Sequence, residues 1–377
     1  MSSTLPLPAA AGTPAARPSL RRVHRQESRT AWLMSAPALA ALLLFVVLPF
    51  VLAIVFSFTN QRLLSPNPTE FVGLRNYDRL LSVTVVPIQA EKTEAGQPVL
   101  DAQGQPQYPR LRSVVRGNPA YVGYEDYREV SALNVDGTRY TLVAKDPLFW
   151  RGLFNIAFFV LLVVPLQCGA ALGCALLINQ KLPGMTLYRT IFFSPVVISM
   201  VVISIVWTFL YDRQYGLVNQ LLGNLSFGLI QPIDWLGDPA VAMVAIVIMS
   251  AWQAMGFQMV IFLAGLQSIS PDLYEAASLD GAKVWNKFRH ITLPGLRNTT
   301  VFILTATTMQ AFALFTQIDV MTQGGPEDST VTVMYSVVRT GFREQDIAYG
   351  STITVVFFVI ILLIAFLQRR LITGSDK

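Results

Sequence analysis

Residues 36–58 read APALAALLLFVVLPFVLAIVFSF, 23 residues without Asp, Glu, Lys, Arg or His. As a helix, such a run is long enough to cross the roughly 30 Å hydrocarbon core of a bilayer. Only helices and closed barrels satisfy every backbone group in lipid, and this run lacks the alternation of barrel strands. Five more uncharged runs follow in the chain: 152–178, 191–211, 240–266, 299–318 and 350–367. The sequence therefore predicts an all-α membrane protein with six transmembrane helices.

The composition agrees with this prediction. Of the 377 residues, 53% are hydrophobic and 14% are charged, whereas soluble proteins have about 25% charged residues. The mean hydropathy is +0.49. These values argue against a cytosolic enzyme, a nucleic-acid-binding protein and a disordered scaffold. The two histidines, His24 and His290, offer no metal site, so we expect neither a metal nor a bound cofactor.

The charges between the runs predict the orientation. Residues 1–30 hold five basic residues and one acidic residue, and the short segment 180–190 holds two basic residues and no acid. In contrast, residues 212–239 hold one Arg and three Asp, and residues 319–349 hold two Arg and five acids. Basic residues concentrate in cytoplasmic loops. We therefore expect a multi-pass protein of the cytoplasmic membrane with both termini in the cytoplasm.

The segments outside the runs differ in kind. Residues 1–30 are rich in Ala, Pro and Arg and predict a disordered cytoplasmic tail, and residues 31–81 hold the first helix and the start of an external loop. Residues 82–145 contain an Asp-Gly hairpin signal at Val135–Thr138, which indicates a small β-rich external insertion; a poorly ordered insertion is the alternative. Residues 146–377 form the remaining core.

The segment 267–298 predicts two short helices on the cytoplasmic side. Ser270-Pro271-Asp272 suits a helix start, and Gly281 can end that helix with a positive φ. A second helix is expected from Ala282 to about Ile291, before Pro294. The pair would form a compact knob that fits a groove on another protein; an ordinary surface loop is the alternative.

Polar side chains within the runs predict the kind of cargo. No span contains an Asp, Glu, His, Lys or Arg side chain, which excludes a proton relay built from Asp, Glu or His. An anionic cargo would also find no Arg or Lys within the spans of this chain to bind it. A neutral sugar or polyol is the expected cargo. Two helical stripes are the candidate substrate path: Ser250, Gln253 and Phe257, then Thr307, Gln310 and Leu314. Hydrogen bonding between helices is the alternative role, and Asn155, Gln167 and Trp252 are weaker candidates.

The loop also resembles a known family motif. Glu275-Ala276-Ala277, Asp280-Gly281-Ala282 and Ile291-Thr292-Leu293-Pro294 are similar in order and spacing to the EAA motif. That motif belongs to the membrane subunits of binding-protein-dependent ABC importers. Further stretches resemble the sugar-permease branch of that family: Phe71–Tyr77, Asp146–Trp150, Trp235–Pro239 and Gly324–Pro326. The insertion, residues 82–145, resembles the larger external loop of the maltose-permease subunit.

The resemblance implies the type I ABC importer permease fold and a set of partners. These are a second homologous permease subunit, two ATP-binding cassette subunits and an extracytoplasmic sugar-binding protein, in the membrane of a bacterium or archaeon. It also implies that the motif couples the permease to the ATPases through these residues: Glu275, Ala276, Ala277, Asp280 and Gly281. The chain has no Gly-rich phosphate loop, so ATP would bind to the partner subunits and the chain itself would not be an enzyme.

Other functions remain open at the level of the sequence. Within the same family, the cargo could be glycerol phosphate or another polyol. A secondary transporter is a second class, since backbone carbonyls can hold sodium. A membrane receptor or assembly subunit, with residues 82–145 as its ligand module, is a third.

Overall fold

A computed structural model describes residues 20–91, 99–100, 106–116, 118, 121, 123–135, 137–180 and 183–373, with side chains described between 31 and 370. Residues 1–52 and 53–377 form two compact units. Helix α1 begins at Leu20, within the segment 1–30 that the sequence predicts as a tail; residues 1–19 lie outside the described residues. A π-helical segment, Leu43–Val47, follows α1.

The helices of the chain, in order, are α1 (Leu20–Leu42), α2 (Leu48–Ser57), α3 (Arg75–Leu81), α4 (Leu111–Val115), α5 (Pro147–Ile178), α6 (Met185–Val197), α7 (Met200–Leu210), α8 (Leu217–Leu225), α9 (Ala242–Gln267), α10 (Pro271–Leu279), α11 (Val284–Lys287), α12 (Leu293–Gly295), α13 (Arg297–Phe312), α14 (Thr316–Met321), α15 (Val333–Val338) and α16 (Ile347–Thr373). Two further π-helical segments are Phe288–Thr292 and Arg339–Arg343. The fold is therefore mainly helical.

The number of spanning helices differs from the prediction of six. Among the described residues, four helices are long and apolar enough to cross a membrane: Ala31–Ser57, Pro147–Ile178, Ala242–Gln267 and Ile347–Arg370. The third predicted span is bent by 100° between α6 and α7, close after Pro195, a residue that disfavours continuation of a helix. With that pair counted as one span, the number is five.

The fifth predicted span, 299–318, is not one continuous helix. Helix α13 has 16 residues and ends at Phe312, and at 1.5 Å per residue it reaches only about 24 Å. The chain then leaves the helical conformation at Ala313–Phe315 before α14 begins. This stretch is rich in Thr and Gln, which lowers its hydropathy. The count of six continuous spans is thus not confirmed.

Helices α5 and α9 lie at the centre of the hydrophobic core. Asp146 begins α5: its Oδ1 accepts a hydrogen bond from the Phe149 backbone N–H at 3.1 Å, and Pro147 occupies the first turn. Ile156, Phe159 and Val163 repeat at helical spacing and are buried. They belong to the same core cluster as the buried side chains of α9, so α5 and α9 together contribute much of the core.

A small antiparallel sheet lies between α3 and α5 in the chain. Its strands are β1 (Val83–Gln89), β2 (Arg128–Val135) and β3 (Thr138–Ala144), in the order β1-β3-β2. Val135 pairs with Thr138, and Gly137 between them has a φ of +75°; Asp136 lies outside the described residues. Val86, Ile88 and Val143 form a small core cluster. Whether segment 82–145 is a separate domain stays a prediction.

An ion pair joins the end of the sheet to α3. Lys145 Nζ donates a hydrogen bond to Asp78 Oδ2 at 2.6 Å. This bond lowers the pKa of Asp78 and raises the pKa of Lys145. Its contribution to stability is therefore present above the ordinary pKa of aspartate and is lost as the pH falls through the lowered value. Asp78 is largely exposed, so solvent screens the pair and the contribution is small.

Gly256 permits close approach of α9 to α6. A Cβ atom at this position would lie 2.2 Å from the backbone oxygen of Phe192. We expect Gly256→Ala to force the two helices apart and to destabilise the fold by about 1–3 kcal/mol or more. Thermal unfolding in detergent would measure this loss. Gly169→Ala on α5 is the matched control, since its Cβ would meet nothing within 4 Å; equal effects of both changes would contradict the packing argument.

Candidate functional site

A polar cavity of about 150 Å3 lies among α5, α9, α13 and α14. Five of the six residues in the two stripes that the sequence proposes for the substrate path line it: Ser250, Gln253, Thr307, Gln310 and Leu314. Phe257, the sixth, is not part of the lining and is partly exposed. The complete lining is Phe159, Val163, Gln167, Met200, Ser250, Gln253, Ala254, Thr307, Gln310, Ala311, Ala313, Leu314 and Gln317.

Hydrogen bonds between elements hold two of these side chains. Gln253 Nε2 donates to the backbone oxygen of Pro195 at 3.4 Å, and Gln317 Nε2 donates to Ser250 Oγ at 3.4 Å. Pro195 lies beside the bend between α6 and α7, so Gln253 ties this bend to α9. The alternative role, hydrogen bonding between helices, thus applies to Gln253 and Ser250. Gln310 is exposed at the cavity.

Thr307 differs from its neighbours on α13. Thr305 Oγ1 and Thr308 Oγ1 donate to the backbone oxygens four residues earlier, at 2.9 and 2.7 Å. Thr307 Oγ1 instead accepts hydrogen bonds from Gln258 Nε2 at 3.3 Å and from Cys168 Sγ at 3.9 Å. A hydroxyl has one hydrogen and two lone pairs. Thr307, which lines the cavity, therefore keeps one hydrogen to donate in addition to the two hydrogen bonds that it accepts.

Two residues that line the cavity, Gln167 and Gln317, were not among the main site residues predicted from the sequence. Gln317 was not among the predicted site residues, although it follows Gln310 by seven residues; in the structure it reaches the cavity from α14, beyond the non-helical residues 313–315. Gln167 was a weaker candidate and lines the cavity. Asn155, another weaker candidate, instead donates to the backbone oxygens of Asp328 and Val331 at 3.0 and 2.9 Å. Trp252 packs against Trp207 and is outside the lining.

The loop 267–298 follows the far end of α9. Helix α10 starts at Pro271 and is followed by Gly281, whose φ is +75°. The Ala282 backbone N–H donates to the oxygen of Ala277 at 2.9 Å, which closes the helix in the manner of a glycine C-cap. The second helical stretch begins at Val284, two residues later than predicted, and extends a few residues beyond the predicted end, to Gly295. The π-helical segment Phe288–Thr292 and α12 continue it, and Pro294 lies in the first turn of α12, where a proline is tolerated.

Side-chain hydrogen bonds make this loop a compact unit. Tyr274 Oη and Thr292 Oγ1 are 3.0 Å apart, and Lys287 Nζ donates to Ser278 Oγ at 2.7 Å. Glu275, Ala276, Asp280 and Gly281 of the predicted coupling residues are exposed, and Ala277 is half-buried. Apolar side chains are also exposed on the unit: Leu273, Leu279, Val284 and Trp285. The loop therefore presents both acidic and apolar groups to its surroundings.

The described residues contain no group of three His, Cys, Asp or Glu side chains arranged to hold a metal ion. The chemistry available at the cavity is accordingly that of amides and hydroxyls. Amide and hydroxyl groups bind a neutral polar molecule through hydrogen bonds, and the apolar lining contacts its carbon skeleton. Helix α9 connects the cavity to the loop: its residues Ser250, Gln253 and Ala254 line the cavity, and its last residue, Gln267, begins the loop. The whole helix is about 39 Å long at 1.5 Å per residue.

Curated relatives match most of the chain. The lactose transport system permease protein LacF of Rhizobium radiobacter is 34% identical over 267 residues, 69% of this chain and 86% of that protein. The trehalose/maltose transport system permease protein MalF of Thermococcus litoralis is 29% identical over 341 residues, 90% of this chain and 92% of that protein. The relative thus spans the insertion region as well as the helical core.

A solved structure shares the fold. A chain of a bacterial ABC transporter that imports the acidic polysaccharide alginate has a TM-score of 0.63 and 17% identity, and the match covers 94% of this chain and 100% of that chain. Residues 148–375 match the family described as binding-protein-dependent transport system inner membrane component. Because this region is more than half of the chain, the protein belongs to that family of transport-system inner membrane components.

Proposed function

We propose that the chain is the membrane-spanning permease subunit of an ATP-driven importer that carries a neutral sugar across the cytoplasmic membrane. The observation that carries this proposal is the cavity lining, which consists of amide, hydroxyl and apolar side chains without a charged group. The relatives are permease proteins of lactose and trehalose/maltose transport systems, which supports a sugar as cargo. A polyol fits the same chemistry, whereas glycerol phosphate would require a cation from another subunit.

The size of the cavity supports a second permease subunit. Sites for small molecules commonly have volumes of about 300–1,000 Å3, and this cavity has about 150 Å3. In this proposal a homologous subunit completes the site, and an extracytoplasmic sugar-binding protein delivers the cargo. Both termini and the loop 267–298 face the cytoplasm, as the distribution of basic residues predicts.

Coupling to ATP hydrolysis is proposed for the loop. Two ATP-binding cassette subunits bind and hydrolyse ATP, and each permease subunit contacts one of them. In this chain the contact is made by Glu275, Ala276, Ala277, Asp280 and Gly281, supported by their exposure and by the compact hydrogen-bonded unit around them. The loop moves as a rigid body when the ATPases close, and the permease halves then open alternately to the two sides.

Uptake into proteoliposomes tests the function. The chain, co-purified with its permease and ATPase partners, would be reconstituted with ATP inside and with radiolabelled maltose, trehalose or lactose and the sugar-binding protein outside. We expect accumulation of one of these sugars that requires both ATP and the binding protein. Uptake by the chain alone, without ATP and under an ion gradient, would contradict the proposal and indicate a secondary transporter.

A further inference from the structure

We propose that helix α8 (Leu217–Leu225) lies flat in the interface of the lipid bilayer, with its leucine stripe in contact with the acyl chains. The stripe consists of Leu217, Leu221 and Leu225, which recur every four residues on one face of the helix. All three are exposed in this chain. The partner is therefore a lipid surface, on the side of the membrane opposite to the loop 267–298.

The sides of α8 differ in a way that fits this position. Val218, beside the leucine stripe, packs against the hydrophobic core. On the opposite side of the stripe, Gln220 and Asn224 are exposed. Around the helix, the side that packs against the protein is therefore followed by the exposed leucine stripe and then by the exposed polar side chains. A helix at the membrane interface has this order when its polar edge contacts water and its apolar stripe contacts lipid.

The burial of Asn219 excludes the usual arrangement of a surface helix in water. Asn219 is only 9% exposed, although it is a polar residue next to exposed leucines. Its Nδ2 donates to the backbone oxygen of Ile233 at 2.9 Å, and its Oδ1 accepts from Trp235 Nε1 at 3.0 Å. A polar side chain thus fixes the helix to the protein while leucines point outward. In water, this arrangement would leave a stripe of leucines without apolar contacts.

The sequence around α8 continues the apolar surface. Residues 214–233 contain no charged side chain. Phe227 is 95% exposed, and Leu229 is also largely exposed. On the other side, α7 ends only six residues before α8 and leaves Phe209 exposed. Helix α7, part of a bent pair of membrane length, therefore ends with an exposed apolar side chain a short distance along the chain from the leucine stripe of α8, with the exposed Asp212 and Arg213 between the two helices.

The same residues connect α8 to the helix that lines the cavity. Trp235, which donates to Asn219, packs against Tyr211 with ring centroids 5.3 Å apart. Tyr211 Oη donates to the backbone oxygen of Ala245 on α9 at 3.0 Å. Ala245 precedes Ser250 of the cavity by five residues. A lipid-bound α8 would thereby hold the first turns of α9 at a fixed depth in the membrane.

Photo-crosslinking in native membranes tests the contact. The photoreactive residue p-benzoylphenylalanine would be placed at Leu221 or Leu225 and, as matched controls on the same helix, at Gln220 or Asn224. After irradiation, intact-mass spectrometry of the full chain would report adducts with phosphatidylethanolamine or phosphatidylglycerol. We expect lipid adducts at Leu221 and Leu225 that exceed those at the controls by at least about fivefold.

Two other outcomes would overturn the proposal. Adducts of Leu221 and Leu225 with another polypeptide, such as a second permease subunit or a binding protein, would mean that a protein covers the stripe. Equal lipid yields at all four positions, or none at any of them, would mean that the stripe has no preferred contact with lipid. The measurement needs no transported sugar, so its result is independent of the proposed function.

Discussion

Replacement of Gly281 by valine is expected to uncouple the transporter, with a loss of more than tenfold in binding-protein-stimulated ATP hydrolysis. Gly281 has a φ of +75°, a left-handed conformation that costs a residue with a Cβ about 1–2 kcal/mol. A β-branched side chain would relieve this strain by changing the turn between α10 and α11. The exposed groups Glu275 and Asp280 would then no longer fit the surface of the ATPase. Hydrolysis and sugar uptake by the reconstituted complex are the measurements.

A second glycine provides the control. Gly137 in the β2–β3 turn has the same φ of +75°, and a Cβ would meet nothing within 4 Å at either position. Gly137→Val therefore imposes similar strain on a different part of the chain and should leave coupling intact. Glu275→Lys, which reverses a charge on the loop without backbone strain, should match Gly281→Val. If these variants fail to insert into the membrane, or if Gly137→Val has the same effect, the loop is a folding element instead.

Thr307→Val is expected to lower sugar transport by about threefold to tenfold, because in the proposed site it removes one hydrogen bond to the cargo, which contributes about 0.5–1.5 kcal/mol. The valine retains the shape of the side chain but lacks the hydrogen that Thr307 can donate into the cavity. The valine also removes the acceptor of the buried Gln258 amide, so thermal unfolding in detergent is measured beside uptake to separate a loss of stability from a loss of transport. The measurement is the initial rate of uptake at several sugar concentrations, with the ATPase subunits and the binding protein present.

The same change two residues earlier is the control. Thr305 also lies on α13, but its hydroxyl donates to the backbone oxygen of Val301 and it is outside the cavity lining. Thr305→Val should leave the rate within about twofold of the unchanged protein. Gln258→Met, which removes the amide that bonds to Thr307 Oγ1, should give an intermediate loss. Equal rates for Thr307→Val and Thr305→Val would remove Thr307 from the substrate path.

Long uncharged apolar runs in the sequence were sufficient to predict the helices that are apolar throughout. Predicted spans one, two, four and six correspond to helices of membrane length, because hydrophobicity and length alone determine them. The third and fifth spans depend on tertiary contacts. The bend after Pro195 is held by Gln253, and the break at Ala313–Phe315 is joined to Thr332, whose Oγ1 donates to the oxygen of Leu314 at 2.9 Å. No local pattern reveals such contacts.

The residues of the candidate site, like the spanning helices, could be predicted in part from the sequence. Helical spacing brought Ser250 and Gln253 together on one face, and both line the cavity. Phe257 lies within about 20° of Ser250 around the helix, but it is about 10 Å further along α9 and lies outside the cavity lining. Gln317 was missed; it reaches the cavity from α14, a separate short helix beyond the non-helical residues 313–315. The buried Gln258, which is 3% exposed, acts on the cavity only through Thr307 and leaves no signal in the sequence.

Affinity purification of the tagged chain from native membranes tests the central claim most directly. The purified material would be identified by mass spectrometry and assayed for ATP hydrolysis with and without the sugar-binding protein and sugar. We predict recovery of a second permease subunit and two copies of an ATPase subunit, with hydrolysis stimulated by the sugar-loaded binding protein. Recovery of the chain without an ATPase partner, and without stimulated hydrolysis, would contradict the assignment as the permease of an ATP-driven importer.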